Sequence, residues 1–237
     1  MQLDVTELRD FYHRPLGIAV RRHLRNVIRQ KWNNVHGKRV IGVGFPAPFL
    51  GIFKGEAERV GAFMPAEQGV VLWPRKGPYC SALVDEEMLP LADSSVDMCL
   101  LVHSVEMSHN VPALLREIWR VLTPEGRLIL VVPNRRGVWA RVDSTPFGHG
   151  RPYSKSQLRV LLQDTMFVPQ SWLYMLYMPP LKSGLLLRTM NAWERIGAAG
   201  WPIFSGLIMA EASKEIYAAS PKSSIKIIPG LAPLPFK

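Results

Sequence analysis

Apolar positions recur with helical spacing near the amino terminus: Leu8, Phe11, Tyr12, Leu16, Ile18, Val20, Leu24, Val27 and Ile28 form an imperfect stripe, broken around Pro15 and Gly17. This predicts one kinked helix or two helices between Thr6 and about Trp32. The pattern then changes to short unbroken apolar runs. Val40–Val43 is a β-type run ending at Gly44, and a proline-punctuated turn leads from it into a predicted helix over Phe49–Glu58. Arg59–Pro65, Pro78–Val84 and Met98–Val102 read as the second, third and fourth strands. A helix follows over Val111–Leu122, with Leu114, Leu115, Ile118, Trp119 and Leu122 on one face and Thr123-Pro124-Glu125-Gly126 as its stop signal. Arg127–Val132 is then a fully buried strand of the parallel type. Ser154 predicts the cap of a helix over Gln157–Asp164. Phe167–Met178 and Gly206–Tyr217 read as the last two strands, an antiparallel edge hairpin separated by an insertion poor in helical signals. From Ala219 the tail carries Pro221, Pro229, Pro233 and Pro235, which predicts an extended or surface-packed segment.

Composition adds little about fold and more about partners. With 237 residues, 48% hydrophobic and 20% charged, the chain can bury one sizeable core, and wholesale disorder is excluded. The net charge of +10 favours an anionic partner without choosing among nucleic acid, an acidic lipid surface or a phosphorylated substrate. Arg21, Arg22, Arg25, Arg29, Lys31, Lys38 and Arg39 concentrate that charge; a solvated face is favoured over an RNA- or membrane-binding one, since no aromatic residues interleave them. The two cysteines, Cys80 and Cys99, fall in strand-like segments and read as buried free thiols in a reducing compartment. Asp4, Glu7 and Asp10 are unlike a secretory signal. The uncharged runs Thr165–Leu181 and Ile196–Ala210 are short for a bilayer and broken by proline, so no transmembrane segment and a cytoplasmic location are expected.

Candidate chemistry gathers where strands end. The stretch Lys38–Leu50 has the layout of the first βα turn of a nucleotide-binding α/β domain, where glycines let the backbone bend and approach a ligand; Pro46 and Pro48 stand where later glycines would be expected. At the end of the second strand, Phe63 or Met64 occupies the place of a ribose-binding acid, with Glu67 and Gln68 just beyond. Trp73 is either a stacking ring for a purine or a packed surface residue. His103 and His149 are imidazoles near strand ends, and Glu106 lies one helical turn from His103. Their ordinary readings are a hydrogen-bonded strand end and a carboxylate favoured by a helix start. No metal site is expected, since His103 and Glu106 lack further ligands. The loop Gly137–Ser154 follows the fifth strand and reads as part of a lid, where Arg135, Arg136, Arg141 and Arg151 could grip an anionic substrate or merely solvate the loop.

The run from Leu89-Pro90 through Asp93-Ser94-Ser95-Val96-Asp97, Leu114-Leu115-Arg116-Glu117-Ile118-Trp119-Arg120-Val121-Leu122, Pro124-Glu125-Gly126-Arg127-Leu128 and Val132-Pro133-Asn134 resembles the class I S-adenosylmethionine-dependent methyltransferases. The segments Thr145–Ser154 and Glu211–Tyr217 are similar to an uncharacterised bacterial subgroup. The resemblance implies an α/β, Rossmann-like fold: a mixed seven-stranded sheet with helices on both faces and an added N-terminal helical segment. It divides the chain into a helical segment at 1–37, the methyltransferase-like domain at 38–217 with an insertion at 178–205, and a proline-rich tail at 218–237. It implies S-adenosylmethionine as cofactor and a small-molecule or macromolecular methyl acceptor, with RNA or a partner protein as further candidates. Gly44 matches the first glycine of the cofactor motif, Gly42 replaces the usual acid, and Phe45, Ala47 and Met64 occupy cofactor-lining places. Asp85 matches the carboxylate that accepts the adenine amino group, the Glu86 amide would bond the ring, and His103 would line the methionine end. If a base is required, His103, Glu106 and His149 are the candidates. The expected function is methyl transfer to an unidentified acceptor, anionic if the arginines grip it; the alternative is an inactive, methyltransferase-like binding or scaffold protein.

Overall fold

The computed structural model describes residues 3–181 and 189–214, and the expected proline-rich tail lies outside them. Two helices, α1 (Val5–His13) and α2 (Pro15–Lys31), precede the sheet, broken where Pro15 opens the second. Alternation of helix and strand then gives β1 (Arg39–Gly44), α3 (Ala47–Leu50), β2 (Arg59–Pro65), β3 (Ser81–Val84), β4 (Val96–Val102), α4 (Val111–Val121) and β5 (Leu122–Pro133). The chain continues through α5 (Lys155–Asp164), β6 (Phe167–Met175), α6 (Met190–Gly200) and β7 (Leu207–Lys214). The seven strands form one sheet in the order β3-β2-β1-β4-β5-β7-β6. Neighbours from β3 to β5 are parallel, whereas β7 runs antiparallel to both β5 and β6. The strand order reverses between β1 and β4, which opens a crevice beyond their carboxyl ends.

Alternate side chains of the central strands feed two cores. Val40, Met98, Leu100, Val102, Ile129 and Val131 face α1 and α2, where Leu8, Val20, Leu24 and Ile28 are buried. Ile41, Val43, Cys99, Leu101, Leu128 and Leu130 face α4 and α5, meeting Leu114, Leu115, Ile118, Leu158 and Leu162. The N-terminal helices thus close one face of the sheet. Strands buried on both sides read as continuous apolar runs, which is why periodicity located them.

Several expected boundaries are corrected. The predicted helix Phe49–Glu58 is the single turn of α3 followed by a 3₁₀ turn at Gly51–Phe53, and the positive φ of Gly55 (85°) turns the chain toward β2. The third strand begins at Ser81, three residues later than Pro78, and the sixth ends at Met175. Thr123–Gly126 is part of β5: Leu122 pairs with Val96 and Arg127 with Met98, so the intervening residues form a bulge, with Glu125 at φ 61°. The insertion before β7 holds the helix α6. Cys80 lies just before β3 and is half-buried, while Cys99 is buried and burial pushes its thiol well up.

The sequence motif between β3 and β5 has a structural explanation. Glu117 Oε1 accepts from the Leu89 amide at 2.7 Å, and its carboxylate is gripped by Arg120, 2.6 Å from NH2 to Oε1 and 2.8 Å from Nε to Oε2. Arg120 also donates to the Leu89 carbonyl at 3.2 Å and to Asp93. One charged pair on α4 therefore fixes the Leu-Pro segment that connects β3 to β4.

Candidate functional site

The crevice at the switch point is built from β1, β4, α1 and two loops. Gly44 has φ 93°, and a Cβ there would lie 2.4 Å from the Val102 carbonyl oxygen and 2.7 Å from the Ser104 Cβ, so only glycine allows β1 and β4 to end in contact. The Phe45 amide donates to that carbonyl at 2.7 Å. A Cβ on Gly42 would meet Pro46 Cβ at 2.3 Å, so the proline of the turn packs into the space the glycine leaves. Phe45 stacks on Tyr12 from α1, with ring centroids 6.0 Å apart and planes at 17°.

Behind this pair lies a buried polar cluster. His103 follows β4 with φ 51°, a left-handed conformation for a non-glycine residue, and such outliers concentrate at functional sites. Its Nε2 is 2.7 Å from the Tyr12 hydroxyl, its Nδ1 is 3.3 Å from Glu106 Oε1 without the alignment of a hydrogen bond, and its ring packs 4.9 Å from Phe147. Gln68 donates from Nε2 to the His103 carbonyl at 3.2 Å and accepts the Val5 amide on its own carbonyl at 2.8 Å, tying α1 to the end of β2. Burial, and secondarily the charge of Glu106, hold the Tyr12 phenol well above its ordinary range. A proton on Nδ1 faces the Glu106 carboxylate and leaves Nε2 to accept from the Tyr12 hydroxyl. The Arg151 amide donates to the Glu106 carbonyl at 2.8 Å, which seats the loop after β5 on the cluster.

The cluster holds hydrogen-bonding groups that the chain itself leaves unmet. Gln68 Oε1, Ser104 Oγ and both Glu106 carboxylate oxygens are buried without a hydrogen-bond partner, as is His103 Nδ1. Among the described residues, His103 is the one basic side chain within ion-pair distance of Glu106. An unpaired carboxylate 2% exposed is costly unless something else meets it.

The other residues singled out from sequence fall around this centre or apart from it. Met64 is buried, its sulfur accepting from the Val71 amide at 3.4 Å. Ala47 opens α3. Asp85 is exposed and its Oδ1 caps the Glu87 amide at 2.9 Å. Glu86 is half-buried, and burial pushes its carboxyl up, reinforced by Glu67, Glu87 and Asp85 against a bond from Ser108. His149 bonds the Asp143 carbonyl at 2.8 Å within its own loop, not His103. Arg135, Arg136, Arg141 and Arg151 are all exposed. Sequence reasoning missed Tyr12: a tyrosine on the apolar face of an amphipathic helix is indistinguishable from core, and its only signal is a hydroxyl that needs a partner when buried.

Residues 31–130 match the family model of a methyltransferase domain. That match spans β1 to β4, α4 and most of β5. A methyltransferase described as S-adenosylmethionine-dependent from Archaeoglobus fulgidus shares its fold, at TM-score 0.61 and 17% identity over 82% of this chain and 94% of that one. So does a Thermotoga maritima protein described as a possible histamine N-methyltransferase, at 0.59 and 16% over 89% and 96%. A third, from Mesorhizobium loti, aligns at 0.58 and 12% over 79% and 96%. At these identities the likeness is one of fold. No curated protein matches the sequence. The methyltransferase domain implies S-adenosylmethionine as cofactor. That molecule carries ammonium and sulfonium cations, and the unpartnered acceptors beside His103 fit such a group, as does the close backbone turn at Gly44. No helix among the described residues is long and apolar enough to cross a membrane.

Proposed function

We propose that the chain catalyses methyl transfer from S-adenosylmethionine at the carboxyl ends of β1 and β4. The buried, unpartnered carboxylate of Glu106 beside His103 is the observation that carries this reading. The bound cofactor supplies an electrophilic methyl group on a positively charged sulfur. Gly44 and Phe45 provide the turn that borders it, Asp85 and Glu86 the edge at β3, and Glu106 a counter-charge. His103 takes the proton that a nitrogen or oxygen acceptor sheds, at the Nε2 now engaged by Tyr12, while Glu106 stabilises the imidazolium so formed. Positioning supplies most of the acceleration, since the leaving group needs no acid. His103 is fully buried, and Phe147 and Tyr12 exclude water from it. Ligand entry therefore requires α1 or the loop after β5 to move aside.

Titration calorimetry with S-adenosylhomocysteine and S-adenosylmethionine tests the reading. Micromolar binding is expected, weakened about tenfold by Glu106→Gln through loss of a charge-assisted contact. No heat at millimolar ligand would overturn it.

A further inference from the structure

A second cavity, of about 480 Å³, lies between α1, α2, the start of α3 and the loop from β2 to β3. Its volume is in the range of small-molecule sites. Arg9, Arg21, Arg25 and Arg75 line it with Trp73 and Tyr12. The arginines of α2 divide cleanly. Arg29 is tied to Glu56 and Arg22 is exposed, whereas Arg21 and Arg25, one helical turn apart, are half-buried and line the cavity. Among the described residues no ion pair engages Arg21, Arg25 or Arg75, and Arg9 meets only the exposed Asp10 at 3.1 Å. Burial, and then the neighbouring Arg21, push the Arg25 guanidinium down, a sign that the two cations are unrelieved.

The rim is held in place. Arg75 donates to His13 Nε2 at 2.7 Å; because a guanidinium only donates, His13 carries its proton on Nδ1 and gives it to the Arg9 carbonyl at 2.6 Å. This bond joins the end of α1 to the loop from β2 to β3. Val71, Leu72, Trp73 and Pro48 supply the apolar wall. Half-buried Arg21 and Arg25, in one cavity with an apolar, aromatic wall, fit a flat ring bearing a phosphate.

We propose that this cavity, which adjoins the cluster around His103 and shares Tyr12 and Phe45 with its approach, is a binding site for a small aromatic phosphate monoester. A concave site with Arg29 withdrawn by Glu56 suits a small anion better than an extended nucleic-acid strand. The proposal does not depend on methyl transfer, and its test is run without cofactor. Calorimetry with 1-naphthyl phosphate is expected to show binding, with 1-naphthol showing none and inorganic phosphate binding more weakly. Arg25→Gln and Arg21→Gln should each weaken naphthyl phosphate about tenfold to a hundredfold, and Arg25→Lys should recover part of the loss. Arg22→Gln, on the exposed face, should change nothing, and melting temperatures verify that each variant folds. Undetectable naphthyl phosphate binding, equal binding of naphthol, or an equal loss in Arg22→Gln would overturn the proposal. So would preferential binding of a single-stranded RNA oligonucleotide that Arg22→Gln weakens as much as Arg25→Gln.

Discussion

Asp85 is the residue whose role divides most sharply between structure and chemistry. One carboxylate oxygen already caps the turn through the Glu87 amide, which leaves the other for a ligand. Asparagine keeps a carbonyl for the cap and loses the charge. Asp85→Asn should therefore leave the melting temperature unchanged while S-adenosylhomocysteine affinity falls about tenfold. A lowered melting point with unaltered affinity would make Asp85 a turn residue only. The comparison with Glu106 is instructive: Asp85 is exposed and locally satisfied, whereas Glu106 is buried and unpartnered.

At the scale of elements, α4 acts through one ion pair. Hydrogen bonds from Arg120 hold the Glu117 carboxyl below the ordinary glutamate value of 4.5; burial opposes them, and the Leu89 amide adds to them. A carboxyl with a depressed folded-state pKa contributes stability above its unfolded value, and that contribution is lost as pH falls through the lower folded value. Glu117→Gln should accordingly melt below the parent at about pH 7, and the gap should narrow as pH falls below the ordinary glutamate value and through the lower folded one. A gap that stays constant with pH would mean that the effect is not electrostatic. The neighbouring β5 shows why the turn signal at Thr123–Gly126 misled: glycine and proline mark a departure from regular geometry, and a bulge departs as a helix stop does.

For the whole molecule, the N-terminal helices are part of the core rather than an appendage. Leu24 of α2 is fully buried in the cluster that also holds Val40 and Leu100 of the central strands. Leu24→Ala should cost about 2–5 kcal/mol in urea unfolding. A cost under about 1 kcal/mol would mean that the helices dock loosely on a sheet that is stable without them. The same helices bring Tyr12 to His103, 91 residues apart in the chain, and Arg21 and Arg25 to the second cavity.

The amino-acid sequence by itself determined the order and type of most elements and the residue range of β2, because strands buried on both faces and amphipathic helices leave their periods in the apolar pattern. The motif between Leu89 and Asn134 likewise pointed to the methyltransferase domain, and Gly44 to its first turn. Tertiary structure decided the rest. Whether His103 meets Glu106, Tyr12 or His149 depends on how α1 and the loop after β5 seat against β4, and contacts between residues so far apart in sequence carry no local signature. The basic run on α2 looked uniform as a string. Packing separates it into Arg29 paired, Arg22 solvated, and Arg21 with Arg25 facing a cavity, because a helix turns each successive residue by a fixed angle but its neighbours alone determine what each one meets.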